Sequence, residues 1–452
     1  MLRLACRLLY LTHSPERTGL PLLCPPSLAC GRGLFLGMLW FVYVLNFLDR
    51  QLLAILAKPI QDSLHVSDRQ LGLIGGLYFA LFYCFIAIPV GWLADKTNRV
   101  KVLSLSCAIW SAATMGCGFS ASYPQLVTAR MMVGFGEAGG VPPSYSILSD
   151  YFPTGRRGTA FGIYNLGPPI GAALGIAFGA TIAAAFNWRR AFLLVGATGV
   201  VVALGVLSIV QEPRRGGVDR AGHAAASQAS FWQTFAMFFA RRTIVLAALG
   251  SEATQFITYG LGNFATLFLM REKGMTLRQV AVYYALVVGV AMTGGIFVSG
   301  RLIDRFTQNS KQAYGLLPAA SLALAAPFYA GFVWASSWAI ALLFLLLPMF
   351  LNYFYLSSSV ALVQEEVRPD QRAMSGALLL PIMNFIGLGL GPTYVGAASD
   401  FVRAAHPGHS LQLALYTLLP FYLLAVILFL WLPRVLRLES QAQEGTADAI
   451  AS

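Results

Sequence analysis

Twelve apolar stretches, each about long enough to cross a bilayer, follow one another along the chain and are closed by glycine, proline or charged clusters. They run over 33–57, 71–94, 101–121, 124–148, 157–185, 189–211, 243–270, 278–303, 312–334, 336–364, 372–400 and 411–434. A helix needs about 20 apolar residues to span the hydrocarbon core. Lipid offers no hydrogen bonds, so each spanning segment must satisfy its own backbone, as a helix does. The pattern predicts an all-α membrane protein with twelve transmembrane helices. Composition agrees, with 57% hydrophobic and 11% charged residues among 452. Soluble multidomain, coiled-coil, disordered and nucleic-acid-binding classes do not tolerate that balance.

The net charge of +12 resides mainly in short loops, which points to topology rather than to phosphate binding. With both termini on the cytoplasmic side, 21 of the 31 Lys and Arg residues fall inside and eight outside; Arg50 and Arg130 lie within spans. The positive-inside rule therefore sets this orientation, in a cell membrane. Residues 1–32 form a tail expected to be disordered, because Pro15, Pro21, Pro25 and Pro26 interrupt its short apolar patches. The longest inner loop, 212–242, carries an amphipathic stretch from Phe231 to Phe239 expected to lie along the membrane surface. It separates two six-helix units, 33–211 and 243–434, and 435–452 form a C-terminal tail. The six cysteines show no CxxC or Cys/His metal spacing, and no lysine follows a glycine as a phosphate-binding loop requires. No metal, cofactor or ATP hydrolysis is expected.

A weak internal repeat supports duplication. Gly91-Trp92-Leu93-Ala94-Asp95-Lys96 closes span 2, and Gly300-Arg301-Leu302-Ile303-Asp304-Arg305 closes span 8. Arg156-Arg157 and Arg372 open spans 5 and 11 at nearly the same offset. The segment from Gly91 to Lys101 resembles the loop 2–3 signature of the major facilitator superfamily. Arg130, Gly134, Gly136, Glu137 and Ala138 resemble its span 4 signature. Gly167-Pro168-Pro169-Ile170-Gly171 is similar in part to a span 5 motif of antiporters. Asn46-Phe47-Leu48-Asp49-Arg50, with Gly136-Glu137-Ala138-Gly139 and Ser149-Asp150-Tyr151-Phe152-Pro153, resembles the spinster branch.

Five ionisable residues fall well inside spans: Asp49, Arg50, Arg130, Glu137 and Glu252. A charge at the bilayer centre costs about 2.5–3.5 kcal/mol even on the lenient scale, so such residues need partners or water. At ~1.5 Å per residue, Asp49 and Arg130 reach similar depths from opposite faces. Arg130 and Glu137 are seven apart and share one helix face. Asp49 and Arg130 are therefore expected to form a protonation-sensitive pair, with Arg50 and Glu137 as coupled neighbours. A carboxylate that gains and loses an arginine between conformers changes its proton affinity. The spinster resemblance implies the same role for these four. All five histidines lie outside the spans, so carboxylates must carry any proton.

Glu252, Gln255, Tyr259 and Asn263 form one polar stripe on span 7. With Tyr78, Tyr83, Glu137, Tyr164, Asn165, Asn352, Tyr355 and Asn384 they make the candidate substrate wall, against the alternative that such stripes are packing. The resemblance further implies a cytoplasmic latch of Gly91, Asp95, Arg99 and Arg156 or Arg157, with Asp304 and Arg305 as the second half's counterpart. Gly91 is expected to let spans approach closely, and Pro168-Pro169 to bend span 5.

The expected function is secondary transport, proton-coupled, of an amphipathic lipid-like or organic-anion substrate by a monomer, with antiport favoured. A sugar, carboxylate or drug transporter of the same fold is the alternative. A non-transporting sensor would not need matched intramembrane charges. An integral-membrane lipid enzyme would need a nucleophile or metal arrangement that the spans lack.

Overall fold

The computed structural model describes residues 26–152, 154–213, 239–308, 310–366 and 384–451. The described residues are helical throughout, without strands. The first half comprises α1 (Pro26–Ile55), α2 (Ala57–Leu64), α3 (Asp68–Gly75), α4 (Leu77–Lys96), α5 (Arg99–Phe119), α6 (Tyr123–Glu137), α7 (Val141–Tyr151), α8 (Thr154–Tyr164), α9 (Gly167–Ala185) and α10 (Trp188–Ile209). The second half comprises α11 (Arg242–Arg271), α12 (Leu277–Gln279), the π segment π1 (Val280–Tyr284), α13 (Ala285–Thr307), α14 (Ala313–Trp334), α15 (Trp338–Leu351) and α16 (Phe354–Glu366). After residues 367–383, outside the described set, come a second π segment π2 (Phe385–Leu390), α17 (Gly391–Arg403), α18 (Ser410–Tyr416) and α19 (Leu419–Ala451).

Nine stretches among the described residues are long and apolar enough to cross a membrane. The three expected spans missing from that group are α6–α7, α11 and the span containing π2–α17. The first two carry Arg130, Glu137 and the Glu252–Asn263 stripe, which lower their mean hydropathy. Part of the third lies in 367–383. Linker residues 214–238 also fall outside the described residues, so of the stretch Phe231–Phe239 only Phe239, which is exposed, is described.

Two expectations about the tails are corrected. Helix α1 begins at Pro26, not at Gly33. Proline is tolerated at a helix's first position, where its missing N–H would have no partner anyway. At the other end, α19 continues past residue 434 to Ala451. Glu439 anchors this extension: its carboxylate accepts hydrogen bonds from Thr243 Oγ1 (2.6 Å) and Thr243 N (3.4 Å) at the start of α11. An acid there also complements the helix dipole.

Several spans are broken in mid-course. Span 4 stops at Glu137 and restarts at Val141, because Pro142 and Pro143 cannot donate to the preceding turn. Span 5 breaks at Asn165–Leu166, just before Gly167-Pro168-Pro169, as the prolines demand. Helix α9 then lies tightly along α1: a Cβ at Gly175 would sit 2.6 Å from the Leu48 carbonyl oxygen. That small-residue seam fixes the position of Asp49 on the next residue of α1.

Between the halves, α3 packs on α17, α4 on π2, α9 on α13 and π1, and α1 on α11. The candidate site lies along this seam.

Candidate functional site

Glycines bring the first-half charges inside. A Cβ at Gly134 would meet the Phe79 carbonyl oxygen at 2.6 Å, and one at Gly136 the Trp110 nitrogen at 2.5 Å. Helix α6 therefore packs almost backbone to backbone on α4 and α5, which sinks Arg130 (2% exposed) and Glu137 (1%) into the bundle. Asp49 on α1 is equally buried (1%).

The pairing differs from the expected one. The ion pair joins Arg50 and Glu137, with Nε donating to Oε2 at 2.6 Å. Asp49 and Arg130 make no ion pair within 4 Å. Asp49 Oδ2 instead accepts from the Thr114 hydroxyl at 2.7 Å. Its Oδ1, together with Arg130 Nε and Nη1 and Glu137 Oε1, is buried with no hydrogen-bond partner among the described residues. The reason is geometric. Arg50, one residue beyond Asp49, points about 100° away around α1 and takes the acid at the end of α6. Asp49 is left facing α5. A cavity of about 10 Å³, bounded by Trp110, Ser111, Thr114 and Gly199, adjoins Asp49, enough for about one water.

Aromatic faces complete the Arg50 environment. Its guanidinium carbon lies 5.0 Å from the Phe47 ring centre, 5.4 Å from Phe79 and 4.7 Å from Tyr83. The Arg130 guanidinium carbon lies 5.4 Å from the centre of the same Phe79 ring. Such cation–π contacts soften the loss of hydration inside the bundle.

In the second half, Glu252 (3% exposed) accepts a hydrogen bond from the Gly387 amide at 3.0 Å. Its Oε1 and the Gln255 Oε1 have no partner among the described residues. Tyr355 is buried near both, and Tyr259 is half-buried on the same α11 face. Tyr78, Tyr83 and Asn384 are likewise half-buried.

Other expected wall residues are occupied elsewhere. Asn352 Nδ2 donates to the Tyr422 hydroxyl at 2.9 Å in the second-half core, so it packs that half. Tyr164 is stacked on Tyr43 with ring centres 4.4 Å apart. Asn165 is exposed at the helix break and accepts from the Tyr145 hydroxyl at 2.8 Å. Asn263 lies at the seam: a Cβ on Gly75 would meet its Oδ1 at 2.5 Å.

One end of the seam is tied shut. Arg271 donates from both terminal nitrogens to the two Asp68 carboxylate oxygens, each at 2.9 Å. Arg403 also pairs with Asp68, and Ser399 and Gln61 donate to it at 2.6 and 2.5 Å. In return, Asp400 accepts from the Arg69 amide at 2.8 Å and the Asp68 amide at 3.2 Å. Glycines make this possible, since a Cβ at Gly76 would lie 2.5 Å from the Gly389 carbonyl oxygen. The sequence reading missed this cluster. Its charges look like ordinary loop charges, and only their opposite signs on 58–70, 271–278 and 400–403 hint at pairing. It also missed Thr114, Phe47 and Phe79.

Among the described residues the other end is not tied in this manner. Arg99 (3% exposed) binds Asp150 at 2.5 Å and the Ser146 hydroxyl at 2.9 Å within the first half, and Glu212 at the start of the linker at 2.7 Å. Arg157 is used by the carbonyls of Ser149 (2.8 Å) and Phe152 (2.9 Å). Arg156, Asp304 and Arg305 are exposed. Lys311 and Arg241 pair with Glu366 inside the second half. No described ion pair crosses the seam here. The Asp95 side chain lies outside the described residues. Gly91 is corrected too: a Cβ there would meet nothing within 4 Å, so it permits no close contact in this conformation.

Residues 39–392 match the Major Facilitator Superfamily. An MFS-type efflux pump of Mycolicibacterium smegmatis is 30% identical, the match covering 80% of this chain and 83% of that protein. Human protein spinster homolog 1 is 25% identical over 87% of this chain and 78% of its own. A bacterial homolog of the human lysosomal transporter Spinster, solved in an inward-facing and unoccupied conformation, superimposes with a TM-score of 0.82 at 30% identity, over 90% of this chain and 97% of that one. The nucleoside transporter NupG shares the fold at a TM-score of 0.70 and 14% identity, over 88% of this chain and 99% of that one. The chain belongs to the Major Facilitator Superfamily of membrane transporters and is of the spinster-like type.

Proposed function

We propose that the protein is a secondary active transporter that works by alternating access and is driven by protons. Its substrate is an amphipathic, lipid-like molecule or an organic anion, carried along the seam between the halves. The observation that carries the reading is the incomplete pairing of the first-half charges. Arg50 and Glu137 are joined, while Asp49 and Arg130 are buried nearby with unused donors and acceptors. Four charges and one ion pair allow a second arrangement, in which Asp49 captures an arginine and Glu137 releases one. Protonation of either carboxylate then favours one arrangement over the other, and the helices that carry them follow.

The Asp68 cluster supplies the other requirement, a closure that must break during the cycle. With both termini cytoplasmic it faces outward, and the structure is then inward-facing. The protein sits as a monomer in a cell membrane. A drug exporter of the same fold is the second reading. It is favoured by the mycobacterial efflux pump among the relatives, and it shares the proton mechanism and the antiport direction.

The test is transport by purified protein in liposomes under an imposed pH gradient. A one-unit gradient supplies about 1.4 kcal/mol per proton. Asp49→Asn and Glu137→Gln are expected to abolish gradient-driven uptake while leaving substrate binding measurable. Transport whose pH dependence is unchanged in both variants removes the proposal.

A further inference from the structure

The four first-half charges sum to zero when all are ionised, so among the described residues Glu252 is the intramembrane charge without a counterpart. No described Lys, Arg or His lies within 4 Å of it, and its one hydrogen bond is the Gly387 amide. That amide belongs to π2, and π segments within helices are frequent at functional sites. Two acceptor atoms, Glu252 Oε1 and Gln255 Oε1, are buried one helical turn apart and have no hydrogen-bond partner among the described residues. Unpartnered acceptors need a donor, and an uncompensated carboxylate needs a positive charge.

Among the described residues the surroundings offer no positive charge, and the Tyr355 hydroxyl is taken up with the Gln255 side chain. The titratable groups in electrostatic reach of Glu252 are Cys84 of α4, across the seam, and Tyr355 of α16. Segment π2 carries no titratable residue. Tyr394 of α17 is in ring contact with Phe256, and α19 meets the same ring with Phe421. On α1 the guanidinium of Arg50 is held by Glu137.

We propose that Glu252 is an exchange site at which a proton and the cationic amine of an amphipathic substrate compete. This rests on the transport reading above and narrows its substrate class, since an organic anion would add to the uncompensated charge. The exchange balances: a protonated Glu252 gives up its O–H proton to solvent, and the carboxylate receives an R–NH3+ group whose N–H bonds reach Oε1 and Gln255. The alkyl part lies among the tyrosines along the seam.

The experiment uses the full-length purified protein in detergent with octylamine, octanol and octanoate as probes, read by calorimetry in buffers of differing ionisation enthalpy. Octylamine is expected to bind with release of up to one proton. Its apparent affinity should fall by up to about tenfold per pH unit on the acid side, as competition requires. Octanol and octanoate should not compete with it. Glu252→Gln is expected to remove both binding and proton release, and Glu252→Asp to retain weakened binding with release. Equal binding of octylamine and octanol, pH-independent octylamine binding without proton release, or unaltered binding in Glu252→Gln overturns the proposal. Should Glu252→Gln fail to fold, proton release and the pH series in the unmodified protein decide alone. The two readings fail separately. Lost gradient-driven transport in Asp49→Asn with no amine binding sinks only the exchange site, and amine exchange without proton-driven transport sinks only the coupling.

Discussion

Arg50 concentrates three physical demands in one side chain: an ion pair to Glu137, a stack against three rings and near-complete burial. A planar guanidinium meets all three, and a lysine ammonium does not. Arg50→Lys keeps the charge, so a purely electrostatic role would leave transport intact. The expected result is a fall in initial transport rate of about ten- to a hundredfold, from about 1.4–2.8 kcal/mol of lost contact. Rates in liposomes at fixed pH gradient check it. Thr114 offers a gentler probe. Its hydroxyl is the single described donor to Asp49, and Thr114→Val keeps the shape while removing that donor. Transport should shift its pH profile to higher pH, because the ionised carboxylate loses a stabilising hydrogen bond; an unmoved profile would place the proton elsewhere. The residues that make Asp49 what it is, Thr114 and the Ser111–Gly199 cavity, were not legible in the sequence. They come from α5 and α10, far along the chain, and their own stretches look like ordinary apolar helix.

At the scale of the element, breaks matter more than helices. Residues Glu137, Asn165 and Gly387 all stand at or beside an interruption, where the backbone ladder is relaxed. The Pro168-Pro169 pair announced the break in span 5, whereas the span 4 break at Pro142-Pro143 was read as continuous helix over 124–148. The π2 segment had no such signal, although Gly387 lies among Gly389, Gly391 and Pro392. A Cβ at Gly387 would collide with the Gln255 side chain and α11 backbone. Gly387→Ala is therefore expected to push π2 off α11 and destabilise the fold by about 1–3 kcal/mol. Gly262→Ala serves as control, because a Cβ there meets nothing within 4 Å. A melting temperature lowered by several degrees in the first variant and unchanged or raised in the second is the expected pattern.

At the scale of the whole molecule, the described ion pairs are asymmetric, crossing the seam at one end and not at the other. The Asp68 end is crossed by a multiply bonded carboxylate whose side chain is fully buried. Breaking a buried pair by removing one charge costs about 3–5 kcal/mol. Only part of that falls on the equilibrium between conformers, since water enters the opened end. Asp68→Asn is expected to shift the population toward opening at this end by at least tenfold. Spin labels at Ala121 and Ala405, exposed positions on the two halves at that end, report it as a new longer distance; an unchanged distribution would mean that the glycine contacts alone hold the closure.

The sequence alone determined the membrane class, the duplicated helical plan, the bend in span 5 and the identity of the buried charges. Those properties follow from transfer energies and from local chain chemistry, which act on neighbours along the chain. The partners were decided by tertiary structure. Depth along a helix was readable from residue counts, and it brought Asp49 and Arg130 to one level. Azimuth about each axis was not, because it depends on how closely Gly134, Gly136 and Gly175 let the helices settle. That rotation handed Glu137 to Arg50, gave Asp49 to Thr114 and left Glu252 facing a backbone amide. The Asp68 closure came from contacts more than 200 residues apart, where charge signs in loops carry no information about which loops will meet.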